Sequence, residues 1–436
     1  MNDCLINEQN IKVNNEFKSI EKVLLLIIYI IPFFTQFSPM ITIIISIIQV
    51  LLILYMFLSF DKSTYKILPV LLFFYSYMIL PGGISVYRVF TILFLINYFM
   101  RNKLTLKKTH IVYLSIVILY SLLVISTDSL KLSLTTIFDM VFIITYVSNL
   151  KKTSNKTKSF FKYLTYTALL SFVFTIINKN IFGSNFIYIG QDWVEITRMS
   201  GTFEDPNYLG FFLNIIIFSN IILPLFKNKT IRILILAILY YYLFSTVSIT
   251  GILCNFLGLF LYLILVLKLK IKYVLLYVTL ILIVLMGYNY SLSHYIAHIS
   301  DISIRIKSLL TSNKDLDLIT SNRTVLWNYN WSYFTGQSPF KMLFGGNRIT
   351  PISFDKSKFM ELSHQEYLDL ILNIGLMGFI IIMTIFITDV FNYYKTIDAH
   401  DKETVLTILF SKYVWFFYGF ALTMFLDSRF SLFFLL

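Results

Sequence analysis

The sequence predicts an all-α polytopic membrane protein of about 12 to 14 transmembrane helices with a large extracytoplasmic loop. Three observations predict it. Hydrophobic side chains make up 57% of the 436 residues, more apolar surface than a soluble fold of that size buries. Apolar runs of about 16 to 20 residues recur along almost the whole chain, each long enough to cross a bilayer as a helix, and their continuity argues against an outer-membrane barrel. Lys and Arg cluster on alternate connections between the runs, as the positive-inside bias requires.

Taken in order, a polar tail over residues 1–21 lies in the cytoplasm and a polytopic transmembrane domain occupies 22–436. The first apolar run, from Val23, is read as an uncleaved span. Spans are expected at 22–37, 40–59, 66–81, 86–100, 110–126, 134–149 and 163–179. In this phase Lys62, Lys66, Arg101, Lys103, Lys107, Lys108 and the Lys151–Lys162 group fall inside, and Lys131 is the exception outside. The seventh span then emerges into a first extracytoplasmic loop, 180–206. Further spans at 207–226, 232–247, 251–267 and 273–290 return Lys227, Lys229, Arg232, Lys268, Lys270 and Lys272 to the cytoplasm. The large extracytoplasmic loop covers 291–366, followed by spans at 367–391 and 407–426. Within the spans the expected charges are Asp139 and Asp389.

The net charge of +13 is dispersed between apolar runs rather than gathered on one face, so it predicts no nucleic-acid partner. Cys4 lies in the polar tail and Cys254 in an apolar run, which leaves no disulfide or metal-binding cysteine set.

The outer segments carry the chemistry. In RMSGTFEDPNYLG, Arg198 to Gly210, Asp205 followed by Pro206 marks a helix start whose free N–H groups and positive dipole end, beside Arg198, suit an anion. Ser363 with Glu366 matches a capping box, making His364 the first residue of a second helix entering from the outer face, held neutral by the positive helix end. Arg198 and Arg323 offer guanidinium forks for a diphosphate, with Arg305 and Arg348 as further candidates. The competing reading pairs these arginines with Glu195, Glu204 or Asp317. Asp205 and Glu366 also serve as plain helix caps, and His364 as a surface histidine. Trp327 and Trp331, four residues apart, fit an interfacial helix or a simple loop anchor. His294 with His298 and Asp315 with Asp317 have metal-compatible spacing but lack a full ligand set.

These residues carry a resemblance. Arg198 followed by SGTFEDPNYLGFFL resembles the R-x-x-G-x-F-x-(D/N)-P-N motif of the O-antigen polymerase and ligase superfamily. HQEYLDLILNIGLMGF, with Gly375 and Gly378, resembles its second signature, and NRTVLWNYNWSYFTGQSPFKMLFGGN resembles the Arg and Trp segment between them. The likeness covers residues 195–380 and the span pattern; STVSITG, Ser245 to Gly251, has Ile249 where many members carry an arginine. The resemblance implies a GT-C-like glycosyltransferase of the bacterial cytoplasmic membrane, with its active site on the extracytoplasmic side. Its donor and acceptor would be undecaprenyl-diphosphate-linked oligosaccharides, and its partners membrane lipid and a chain-length regulator protein. Arg198 and Arg323 would hold the diphosphate and His364 would activate the acceptor, with Asp205, Asn207, Glu366, Arg348 and Trp327 as candidate substrate-binding residues and no cofactor or metal. Ligation of a finished glycan to lipid A core, and lipid-linked oligosaccharide transport, are the alternatives.

Overall fold

The computed structural model describes residues 19–36, 39–59, 65–101, 108–124, 130–151, 153–181, 187–189, 197–269, 323–345, 365–396, 401–422 and 428–436. Among them the chain is all-α apart from two short antiparallel hairpins. Three helices are long and apolar enough to cross a membrane: Met40–Ser59, Ser154–Asn178 and Glu366–Lys395. Shorter apolar helices include Pro206–Ile222 and Ile249–Leu265. The predicted span at 273–290 lies outside the described residues, as do Asp192, Glu195, Arg305, His294, His298, Asp315 and Asp317.

The chain divides into two compact units. The first takes in Met1–Thr105 and Ser148–Gly183. It holds α1 (residues 19–30), a 3₁₀ turn at Ile31–Gln36, α2 (Pro39–Ser59), α3 (Leu68–Phe73), α4 (Val86–Arg101) and α7 (Ser154–Ile181). The Tyr29 hydroxyl donates to the Lys66 carbonyl at 2.7 Å, and Lys66 pairs with Glu21 at 2.6 Å. Phe57 packs on Phe90 at 5.5 Å between ring centroids, and Phe74 meets Phe174 edge-on at 5.2 Å. One expectation fails here: 66–81 is not a continuous span. Only α3 is helical, and the chain then folds into a hairpin of β1 (Ile79–Leu80) and β2 (Ile84–Ser85). Pro81 cannot donate to a helix ladder, and Gly82 and Gly83 supply the positive φ of 83° and 76° that the turn requires.

The second unit takes in Leu106–Val147 and Ser184–Leu436. It contains α5 (Lys108–Val124), most of α6 (Leu130–Leu150), and a hairpin of β3 (Ile187–Ile189) with β4 (Thr197–Met199). There follow α8 (Pro206–Ile222), α9 (Lys229–Ser245), α10 (Ile249–Leu265), α11 (Arg323–Thr335) and α12 (Pro339–Phe344). Last come α13 (Glu366–Lys395), α14 (Lys402–Tyr418) and α15 (Ser428–Leu435). Pro224 follows the last turn of α8 and stops it short of the predicted 226. Arg232 then donates to the Asn220 carbonyl at 2.6 Å and to the Ile221 carbonyl, closing the carbonyl end of α8.

Two glycines fix how α12 meets α13. Gly345 caps α12 with φ 76°, and Gly375 interrupts α13 with φ 70° and ψ 173°. A Cβ on Gly345 would stand 2.3 Å from the Asn373 carbonyl oxygen, and one on Gly375 would stand 2.3 Å from that of Leu343, so two backbones touch. The kink also separates two environments. Before it, Glu366, Tyr367, Leu368, Asp369 and Leu370 are all buried in protein. Beyond it Leu376, Met377, Ile380, Ile387 and Phe391 are exposed along 376–395, a segment ~30 Å long at ~1.5 Å per residue.

The charge inventory of the spans also needs correcting, because Arg88, Asp369 and Lys412 fall within them beside Asp139 and Asp389. Lys412 lies inside α14. Its ammonium is 1% exposed and pairs with Asp389 at 3.3 Å. It also donates to the Phe434 carbonyl and lies 5.8 Å from the Phe386 ring centroid.

Candidate functional site

The polar corner predicted around Arg198 is a built structure. Arg198 sits on β4 opposite Tyr188, and the chain then turns through Ser200–Phe203, where Phe203 N–H donates to the Ser200 carbonyl at 3.1 Å. Gly201 takes φ 61°, and a Cβ there would lie 2.1 Å from the Tyr242 hydroxyl, so this corner of the motif admits glycine alone. Asp205 is the N-cap of α8: its carboxylate accepts from Asn207 N–H at 2.6 Å, with Pro206 as the first helical residue. Tyr208 N–H also turns back to the Asp205 carbonyl at 3.1 Å. The first-turn N–H groups that sequence reasoning offered to an anion are therefore occupied at Asn207 and Tyr208.

The guanidinium of Arg198 is buried at 8% exposure and holds three pieces of chain together. Its Nε donates to the Thr246 carbonyl at 3.1 Å and its Nη2 to Asn207 Oδ1 at 3.4 Å. The same Asn207 oxygen accepts from the Ser248 hydroxyl at 2.6 Å. Thr246 and Ser248 flank Val247, a β-branched residue at φ 48° in the α9–α10 turn, a conformation costing ~1–3 kcal/mol that persists only where its surroundings enforce it. Ser248 in turn caps α10, accepting from Gly251 N–H at 3.1 Å.

Behind this corner α14 sends a phenol between two helices. The Tyr418 hydroxyl lies 2.7 Å from where a Cβ on Gly210 would stand and 2.9 Å from one on Gly251, which explains a glycine at each place. Asn214 Nδ2 reaches that hydroxyl at 3.3 Å and the carbonyls of Gly210 and Gly251 at 2.9 and 3.0 Å.

The start of α13 belongs to the same unit but differs from the expected capping box. Its N-cap is Gln365, whose side chain accepts from Leu368 N–H at 2.8 Å, and the helix begins at Glu366. An extended Gln365 with φ −146° and a longer side chain does what Ser363 was expected to do. Glu366 is fully buried and donates its N–H to the Gly419 carbonyl at 2.7 Å. Tyr113 of α5 is buried in the same unit, its hydroxyl donating to Met140 Sδ at 3.5 Å and its ring stacked on Phe434 of α15 at 5.5 Å. The same helix brings Arg429 to 5.9 Å from the Tyr208 ring centroid.

Of the sequence candidates, the structure unites Arg198, Asp205 and Asn207 directly and carries Glu366 on the helix that meets the end of α14. Arg323 opens α11, and its side chain lies outside the described residues with Arg348 and His364. Trp327 packs against the Phe334, Leu368 and Leu372 cluster, a packing role, whereas Trp331 is 53% exposed. Sequence reasoning missed Thr246, Ser248, Asn214, Tyr418 and Arg429. Only Ser248 left a trace, as a capping serine three residues before Gly251; the rest arrive from distant helices. Neither a protein-family profile nor a curated protein sequence matches this chain.

Proposed function

We propose that this chain is a GT-C-like, multi-pass glycosyltransferase of the bacterial cytoplasmic membrane. It polymerises an O-antigen or capsular glycan, moving the growing chain from undecaprenyl diphosphate to a lipid-linked repeat unit at the outer face. Three ordered motifs resembling the O-antigen polymerase and ligase superfamily support the reading. The observation that carries it is the corner in which the first motif closes on itself: Arg198, Asn207 and the 246–248 turn joined by charge-assisted and neutral hydrogen bonds. The starts of α8 and α10, the end of α14 and the start of α15 meet there, as alternate spans with one outer face require.

In this mechanism the acceptor hydroxyl oxygen attacks the anomeric carbon of the growing glycan. The bond from that carbon to the phosphate oxygen breaks, and undecaprenyl diphosphate leaves with the electron pair. His364 accepts the hydroxyl proton. Arg198 and Arg323 neutralise charge as it develops on the leaving diphosphate, the kind of electrostatic term that dominates many transfer reactions. No nucleotide enters, because the diphosphate leaving group supplies the driving force.

Ligation to lipid A core shares the donor and the same corner, and transport is the more distant alternative. Transport calls for ionisable groups along a central cavity, whereas Lys412 is packed against aromatic rings and paired with Asp389. Gene deletion separates the first two: a polymerase mutant keeps surface glycan of one repeat unit and a ligase mutant keeps none. Complementation with Arg198→Ala, Arg323→Ala or His364→Ala, each checked for accumulation, is expected to leave the single-unit phenotype. Full-length glycan from all three variants refutes the assigned site.

A further inference from the structure

The donors and acceptors around Asn207 form a chain whose direction is fixed by chemistry. Arginine has only N–H donors, so the Asn207 atom facing Arg198 at 3.4 Å is the amide oxygen. The Ser248 hydroxyl, 2.6 Å from that oxygen, must spend its single proton on it. Ser248 Oγ therefore accepts from its other neighbour, Gly251 N–H, at 3.1 Å. The Tyr418 oxygen lies 3.3 Å from Asn214 Nδ2, whose two protons serve the nearer Gly210 and Gly251 carbonyls at 2.9 and 3.0 Å. Asn214 is oriented independently, because its nitrogen faces two carbonyls while its oxygen accepts from Asn255 Nδ2 at 3.0 Å.

One group is left over. With its oxygen held by two donors, the Asn207 amide cannot flip, and its NH₂ takes no partner among the described residues although the residue is 7% exposed. We propose that this amide is a preset hydrogen-bond donor to a phosphate oxygen of a polyprenyl diphosphate, and that Ser248 is the positioning residue that sets it. The inference rests on the glycan-transfer reading for the identity of the anion. Asp205 fits this division of labour: it caps the backbone N–H of Asn207 and leaves the side-chain amide to the ligand.

The test uses the full chain in detergent and two probes, undecaprenyl diphosphate and undecaprenol, which differ only in the anion. Wild type is expected to bind the diphosphate in clear preference to the alcohol. Ser248→Ala is expected to cut that preference about tenfold, the value of roughly one hydrogen bond to a charged group, with undecaprenol binding unchanged. Ser248→Thr, which keeps the hydroxyl, restores it. A purely structural role instead weakens both probes alike. Full preference in Ser248→Ala overturns the positioning role and leaves the glycan-transfer reading standing. No preference in wild type removes the diphosphate ligand and that reading together.

Discussion

The second unit contains two buried polar assemblies, and they are built on opposite plans. At Lys412 an ammonium meets the Asp389 carboxylate, the Phe434 carbonyl and aromatic rings, while the Tyr393 hydroxyl closes on the Leu436 carbonyl at 3.0 Å. Charge is balanced where it stands, and the assembly fastens α13, α14 and α15 to one another. At Arg198 the anchoring bonds go to a carbonyl and an amide oxygen, and the run behind them is made of neutral hydroxyls and amides. That run ends in a donor. The contrast separates a staple from a site: both are buried, but only the second presents an oriented N–H group for something outside the protein.

The comparison breaks most visibly at the staple. Lys412→Ala empties a buried site among aromatic rings and leaves the Phe434 carbonyl without its donor, and is expected to cost ~3 kcal/mol. Unfolding in detergent reads the loss, and Lys412→Met with Asp389→Leu is expected to recover most of it; no recovery contradicts the staple. Transfer per folded molecule is expected to stay at the wild-type value. Next in size is Gly375→Ala, expected to lose ~2 kcal/mol from a side chain at φ 70° set against the Leu343 carbonyl. Equal stability of Gly375→Ala and wild type shows that the backbone contact is not made.

A smaller effect on stability sharpens the other half. Gly210→Ala puts a methyl 2.7 Å from the Tyr418 hydroxyl, so the phenol must shift, at ~1 kcal/mol. Unfolding of Gly210→Ala in detergent reads the loss, and stability equal to wild type contradicts the close approach of Tyr418 to Gly210. The smallest effect belongs to Trp331→Ala. At 53% exposure the ring is expected to contribute within ~0.5 kcal/mol in detergent, whereas Trp327→Ala, which leaves a gap beside Leu368 and Leu372, costs more. The reverse order assigns the interfacial tryptophan wrongly.

What the sequence revealed follows the range of the forces involved. Apolar runs gave the helices, because burial in lipid or protein imposes a pattern on every residue of a span. The Asp205–Pro206 start was legible because a cap is local chemistry over three residues. The break at Pro81 to Gly83 was equally local and was overridden by the hydrophobicity around it. The cap of α13 was misplaced by two residues, since Ser363 and Gln365 both carry acceptors and only backbone conformation chooses between them. The partners of Arg198 had no local trace. Thr246 lies 48 residues along the chain, and Tyr418 lies 204 from Asn214, so a single sequence holds no pattern linking them. Lys412 was visible as a charge within a predicted span, but its partners Asp389 and Phe434 come from two other helices.

The most direct test of the central claim is turnover of a synthetic undecaprenyl-diphosphate-linked repeat unit by the purified chain, followed by product length. Wild type is expected to release undecaprenyl diphosphate and build a ladder of repeats, and Asn207→Asp, which keeps the oxygen that Arg198 and Ser248 hold but swaps the amide donor for a carboxylate, is expected to build none. A wild-type protein that leaves the substrate intact, or an Asn207→Asp variant that extends it at the wild-type rate, contradicts the account.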